Sequence, residues 1–297
     1  MSLINSAVLA AGAVAIALPI GALLAILLVR YDLPGRRLAA ACLGVLLFLP
    51  LYVQLSGWDA ALGKLGWYSL AYGSMAEPFL SGMRGAIYIH AMAAVPWVAL
   101  LVGMGLLQID PAQEEAALLV APPRLVLWRI TLPQTVPFIL TAAVWVTVST
   151  TSEMTVTNIY LINPGEWTYT ERFYMRIASG DPTKTAIAVL PGVLGLAVIL
   201  GFSLWMVSRL VNRRVMTTTS QSLAFSAGGW RTAATALMWL VVIVLLGVPI
   251  ASLVSKAGFV VLHGGEERIR SWSAAACLRE VAAVPQRFAG EFRGTIM

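Results

Sequence analysis

The feature that most constrains this chain is a succession of apolar runs almost free of Asp, Glu, Lys and Arg, each about as long as the 20 or so residues a helix needs to cross a bilayer core of about 30 Å. Six are present, roughly Ala7 to Val29, Leu38 to Trp58, Gly85 to Ile109, Val136 to Ile162 (interrupted by Glu153), Thr185 to Ser208 and Ala233 to Ser255. In lipid every backbone N–H and C=O must be satisfied within the protein, so runs of this kind fold as helices. An all-α, polytopic membrane protein of about six transmembrane helices is predicted. Composition agrees: 59% of the 297 residues are hydrophobic and 11% charged, against about 25% charged in a soluble domain. That balance excludes a disordered chain or a nucleic-acid-binding one.

The net charge of +6 is therefore read through loop topology, where Lys and Arg choose the cytoplasmic side. No basic residue precedes the first run, and Arg30 follows it, so it reads as a retained span rather than a signal peptide, with its N-terminus outside. Alternation then groups the connections 30–37, 110–134 and 209–231, which hold nine basic residues against five on the other side. The first group is assigned to the cytoplasm. Trp58, Trp67, Trp128, Trp167 and Trp230 fall near proposed interfaces and are expected to anchor there. Beyond the last span, Ala257 to Met297 turns polar.

The stretch Asp110 to Pro133, DPAQEEAALLVAPPRLVLWRITLP, is too long for a hairpin turn and too apolar for a solvated linker. Asp110 is placed to cap a short helix that starts at Pro111, with Gln113 as its reciprocal capping-box partner and Glu114 and Glu115 complementing the helix dipole. Pro122 and Pro123 stop that helix near Val120, and a second short helix is expected from Arg124 to Thr131 before Pro133 breaks the chain again. The product is a helical elbow under the bundle. The plainer alternative is an amphipathic interfacial connection.

These residues resemble the permease subunits of binding-protein-dependent ABC importers, whose cytoplasmic EAA loop has Glu-Ala-Ala, a later Gly, then a hydrophobic residue and Leu-Pro. Glu115, Ala116, Ala117, Ile130, Leu132 and Pro133 stand in those places, and the glycine position holds Ala121 with the spacing one residue short. The turn is therefore expected from Pro122 and Pro123. RYDLPGRR (Arg30 to Arg37), LFLPLYVQLSGW (Leu47 to Trp58) and SEMTVTNIY (Ser152 to Tyr160) resemble the iron(III)-type branch, and the likeness covers most of Ile4 to Leu210. What the resemblance implies is a type I ABC importer permease in the bacterial inner membrane, opened by a separate ABC ATPase. ATPase coupling would fall to Glu114, Glu115, Ala116, Ala117, Ala121, Ile130, Leu132 and Pro133, with Glu115 meeting a basic group on the ATPase. Further implied partners are an extracytoplasmic solute-binding protein, a second permease domain or a second copy, and membrane lipid. The run 233–256 and the tail look like the opening of a second half in the fused iron(III)-type permeases, so a truncated two-domain permease or a subunit needing a partner is expected.

Glu153 is the one acidic residue inside a proposed span, which makes it a functional-site candidate. With Thr155, Thr157 and Asn158 it would contribute to the translocation pathway. Two alternatives stay open: an internal ion pair or hydrogen bond, and a span that ends before it. A secondary or proton-coupled carrier using Glu153 is the rival function, and an intramembrane enzyme a third. The sequence has no P-loop, HExxH helix or Ser, His and Asp arrangement, and no cofactor is expected. His90 and His263 stand alone, Cys42 and Cys277 lack ligand spacing, and Gly192, Gly195 and Gly201 are expected to permit close helix packing.

Overall fold

The structure is a computed structural model that describes residues 1–72, 78–162, 165–178, 180, 182–210, 225, 227–264 and 267–290. The basic linker expected at 211–232 lies mostly outside the described residues, as does the end of the tail. The helices are α1 (Ser2–Arg30), α2 (Arg36–Phe48), α3 (Leu51–Leu62), α4 (Trp67–Tyr72), α5 (Gly82–Leu107), α6 (Pro111–Leu118), α7 (Pro123–Val126), α8 (Leu132–Ser152), α9 (Thr155–Tyr160), α10 (Tyr169–Ala178), α11 (Pro182–Leu210), α12 (Arg231–Val242), α13 (Val248–Ala257) and α14 (Ala274–Arg287). Single π-turns join α7 to α8 and α12 to α13. Five continuous helical stretches are long and apolar enough to cross a membrane, and α2 with α3 makes a sixth if the bent pair is one span.

The pair is one crossing. A Cβ on Gly12 would meet Ile87, one on Gly21 would meet Val98, and the Arg30 guanidinium reaches the Leu106 carbonyl. These contacts rise together along both chains, so α1 and α5 run parallel, and the segment between them must return across the bilayer. Glycine at 21 is what permits the approach, since a Cβ there would sit 2.5 Å from that of Val98.

The expected unbroken span from Leu38 to Trp58 is corrected to two helices bent by 106°. Pro50 has no N–H and pushes the preceding residue out of the helical region, and Leu49 is extended at φ −77, ψ 118. Gln54 repairs the break by donating to the Leu49 carbonyl at 3.0 Å and the Leu46 carbonyl at 3.4 Å, groups the helix end would leave unpaired. The span drawn from Val136 to Ile162 is likewise corrected: α8 ends at Ser152 and α9 is a separate short helix.

The core lies between α1, α5 and α8, with Leu24, Ile89, Val95, Val98, Leu106 and Val146 fully buried. Apolar side chains of α11 such as Leu194, Val198 and Leu204 are exposed, as befits a helix facing lipid. Its glycines divide: Gly192 packs against the Tyr169 ring, whereas Gly195 and Gly201 have open space, so close packing holds only at the first. Trp58 is also corrected, from interface anchor to core residue, since it is 2% exposed and packs edge-on against Tyr88.

In the tail, an antiparallel hairpin pairs 259–264 with 267–272, and α14 follows, capped by Ser273. These are the two strands among the described residues, where the sequence reading expected none.

Candidate functional site

The elbow forms much as its residues dictate. Asp110 accepts a hydrogen bond from the Ala112 N–H at 3.0 Å and Pro111 opens α6. The capping box is incomplete, because Gln113 turns its side chain to Gln134, whose amide donates to it at 3.0 Å. α6 stops at Leu118, and the Ala121 N–H returns to the Ala117 carbonyl at 2.9 Å. No non-glycine residue among those described has positive φ. Ala121 thus enters the turn without strain, and Pro122 and Pro123 make the turn by entering α7 at its cap and first position. Pro133 is corrected from a chain break to a residue inside one continuous helical run, directly after the π-turn at Leu127–Thr131 that interrupts the regular helical ladder there.

Two adjacent glutamates of α6 part company because successive helical residues point about 100° apart. Glu115 is exposed, and so is Ala116. Glu114 is the buried residue of α6. Its Oε2 accepts from Arg30 Nη1 at 2.8 Å, with both side chains at 0% exposure, and its Oε1 accepts from the Thr131 hydroxyl at 2.6 Å. Arg30 Nη2 donates in turn to the Leu106 carbonyl at 2.7 Å. Glu114 therefore belongs to an internal cluster and not to an outward docking face. The outward face mixes apolar and charged groups: Leu119 and Val120 are each 87% exposed, Trp128 is 69% exposed, and Glu115, Arg124 and Arg129 are exposed with them. Of the remaining coupling candidates, Ala117, Ala121, Ile130 and Leu132 are partly buried and Pro133 is exposed.

The first basic turn and the returning linker gather at this same end. Gly35, at φ 76, supplies the left-handed turn before α2 that a side chain would resist. Arg36 and Arg231 flank Asp32 at 3.7 and 3.8 Å, the Phe225 N–H donates to the Arg30 carbonyl at 2.7 Å, and Trp230 packs edge-on against Tyr31. Burial raises the Tyr31 hydroxyl above its ordinary pKa, opposed by the positive charge of Arg124.

Glu153 sits at the break between α8 and α9. Its carboxylate accepts from the Thr155 and Val156 N–H groups at 2.9 and 3.2 Å, which satisfies the opening of α9. A cavity of about 320 Å³ lies beside it, lined among others by Gln54, His90, Trp97, Trp145, Thr150 and Glu153. The Trp97 and Trp145 rings lie 5.1 Å apart between centroids. Thr155, Thr157 and Asn158 are not among its walls. Thr157 is buried and donates to the Met154 carbonyl, and Asn158 is exposed. The polar run before Glu153 is largely self-satisfied: Thr147, Ser149, Thr151 and Ser152 return their hydroxyls to carbonyls three or four residues back. His90, read from the sequence as a lone structural histidine, is also in the wall of this cavity. It is 4% exposed, and its sequence signal was a polar ring in the middle of an apolar run. No group of three His, Cys, Asp or Glu side chains that could hold a metal occurs among the described residues.

No family model and no curated protein sequence matches the chain. Solved structures do share its fold. A chain from the structure described as inward-facing conformations of the MetNI methionine ABC transporter aligns with a TM-score of 0.52 and 18% identity, over 71% of this chain and 93% of that one. A chain from a bacterial ABC transporter involved in the import of the acidic polysaccharide alginate aligns with a TM-score of 0.54 and 20% identity, over 71% of this chain and 79% of that one. The chain shares its helical fold with these two ABC transporter chains, and five to six of its helical stretches are long and apolar enough to cross a membrane.

Proposed function

We propose that this chain is a permease subunit of an ABC importer in a bacterial inner membrane, forming part of a translocation pathway and hydrolysing no ATP itself. The observation that carries the reading is the elbow: Leu119 and Val120 stand exposed just past the end of α6, beside the exposed Glu115, between the apolar helices that end at Leu107 and begin again at Pro123. Apolar side chains standing in water at the end of a membrane bundle mark a protein contact. That contact is the ATPase, and the elbow end is cytoplasmic, in keeping with its concentration of arginines. The coupling surface is Glu115, Ala116, Leu119, Val120 and Trp128, with Ala117, Ala121, Ile130, Leu132 and Pro133 shaping it from behind.

One elbow serves one ATPase site, so a second permease domain, or a second copy, completes the pathway, and a solute-binding protein delivers substrate from outside. Glu153 and His90 contribute to the pathway through their shared cavity. Iron(III) is the substrate class that the resemblance of Arg30 to Arg37 and Leu47 to Trp58 supports. The same cavity also favours a second reading, a proton-coupled carrier, because it places an ionisable carboxylate beside a buried imidazole.

Co-purification with an ABC ATPase, followed by uptake into vesicles, tests the proposal. Uptake that needs ATP and the binding protein upholds it. Uptake driven by a proton gradient with no ATPase present refutes it in favour of the carrier, and radioactive iron(III) left outside under active conditions removes the substrate assignment alone.

A further inference from the structure

Glu114 ties three neighbouring elements of the chain to the distant end of α1. It sits on α6, its cation partner Arg30 is the last residue of α1, that cation also holds the final turn of α5 through the Leu106 carbonyl, and its hydroxyl partner Thr131 lies in the π-turn that leads into α8. We propose that Arg30 and Glu114 are a positioning pair that makes the elbow and the elbow-side ends of α1, α5 and α8 move as one body, so that a push on the elbow reaches the spans. The inference rests on the importer reading.

The argument is one of burial and direction. Glu114 is the buried residue of α6, Ala117 and Leu118 of the same helix pack partly buried against the core, and Leu119 and Val120 beyond its end stand in solvent, so the charged group adds a directional hold to a small apolar contact. Apolar contacts are non-directional and allow one surface to slide on another. A carboxylate that accepts from a guanidinium on one oxygen and a hydroxyl on the other is fixed in both position and angle. Neither charge has solvent to retreat into at 0% exposure, so separating them strands a buried ion, which is far more costly than opening a surface pair. The elbow therefore cannot be displaced alone. Its outward neighbour Glu115 remains available for the ATPase, which divides the Glu-Glu pair into one residue that receives a partner and one that holds the elbow to the membrane domain.

The test uses the full chain in nanodiscs and, separately, in vesicles with its ATPase and binding protein. Glu114→Ala is expected to recover ATPase within about twofold of wild type, because the exposed face is untouched, while amide exchange across α6 rises about tenfold and substrate moved per ATP falls by about the same factor. Thr131→Val removes one hydrogen bond and leaves both charges, and should move both readouts in the same direction by less. It carries the test if Glu114→Ala does not fold. Faster α6 exchange with wild-type substrate per ATP reduces the cluster to structure alone and overturns the proposal, and so does lost coupling with unchanged exchange. A wild-type chain that recovers no ATPase overturns the importer reading itself, a result distinct from either.

Discussion

Replacing Leu119 and Val120 together by serine tests the docking face most directly. Each is 87% exposed, so the chain's own fold gains almost nothing from them, and insertion and thermal stability should hold. Fully burying such a side chain stabilises by about 2 kcal/mol, and with 87% of that still to be gained at each residue the pair offers about 3.5 kcal/mol to a partner that covers both. At about 1.4 kcal/mol per factor of ten, the loss corresponds to roughly 300-fold weaker ATPase association. Equilibrium binding of purified ATPase to the chain in nanodiscs reads this out. Leu65→Ser, at a residue 60% exposed beyond the end of α3 and remote from the elbow, is the control and should leave affinity unchanged. A double variant less than about tenfold weaker than wild type, or a control equally weakened, would refute the assignment of this surface, because the area available at 119 and 120 demands more.

Glu115→Lys reverses the charge on the exposed face of α6 and should reduce ATPase recovery in a pull-down while membrane insertion is unaffected; undiminished recovery removes Glu115 from the contact. Gly21→Leu forces a side chain into Val98 and should destabilise the α1–α5 packing by about 1–3 kcal/mol, seen as a lower thermal unfolding midpoint in detergent, whereas an unchanged midpoint would show that the helices do not approach at this point. Glu153→Gln keeps the shape of the side chain and removes its charge, so expression should persist and transport fall if the carboxylate serves the cavity. Thiol labelling of Glu153→Cys by a water-soluble reagent should succeed, and labelling only by a lipid-soluble one would place position 153 against lipid.

Much of the architecture was legible in the order of residues. Runs of about 20 apolar residues leave a chain few options other than membrane-spanning helices, because unpaired backbone groups are not tolerated in hydrocarbon. The elbow was legible too, from Asp110 and Pro111 at its start and Pro122 and Pro123 at its turn, since caps and prolines act within a few residues of themselves. Pro50 carried the break in the second span just as openly, but an average over apolar length passes across a single proline. What only the tertiary structure decided is which polar groups face inward. Arg30 and Glu114 are 84 residues apart, and nothing local distinguishes Glu114 from Glu115 or marks Arg30 off from the other arginines at the span ends. Their burial follows from α1 and α5 packing in parallel, which brings the end of one beside the last carbonyls of the other. Glu153 was visible as an anomaly in the sequence, yet its hydrogen bonds to the start of α9 and its place with His90 on one cavity wall exist only once the chain has turned at Ser152 and α2, α3, α5 and α8 have closed around the cavity.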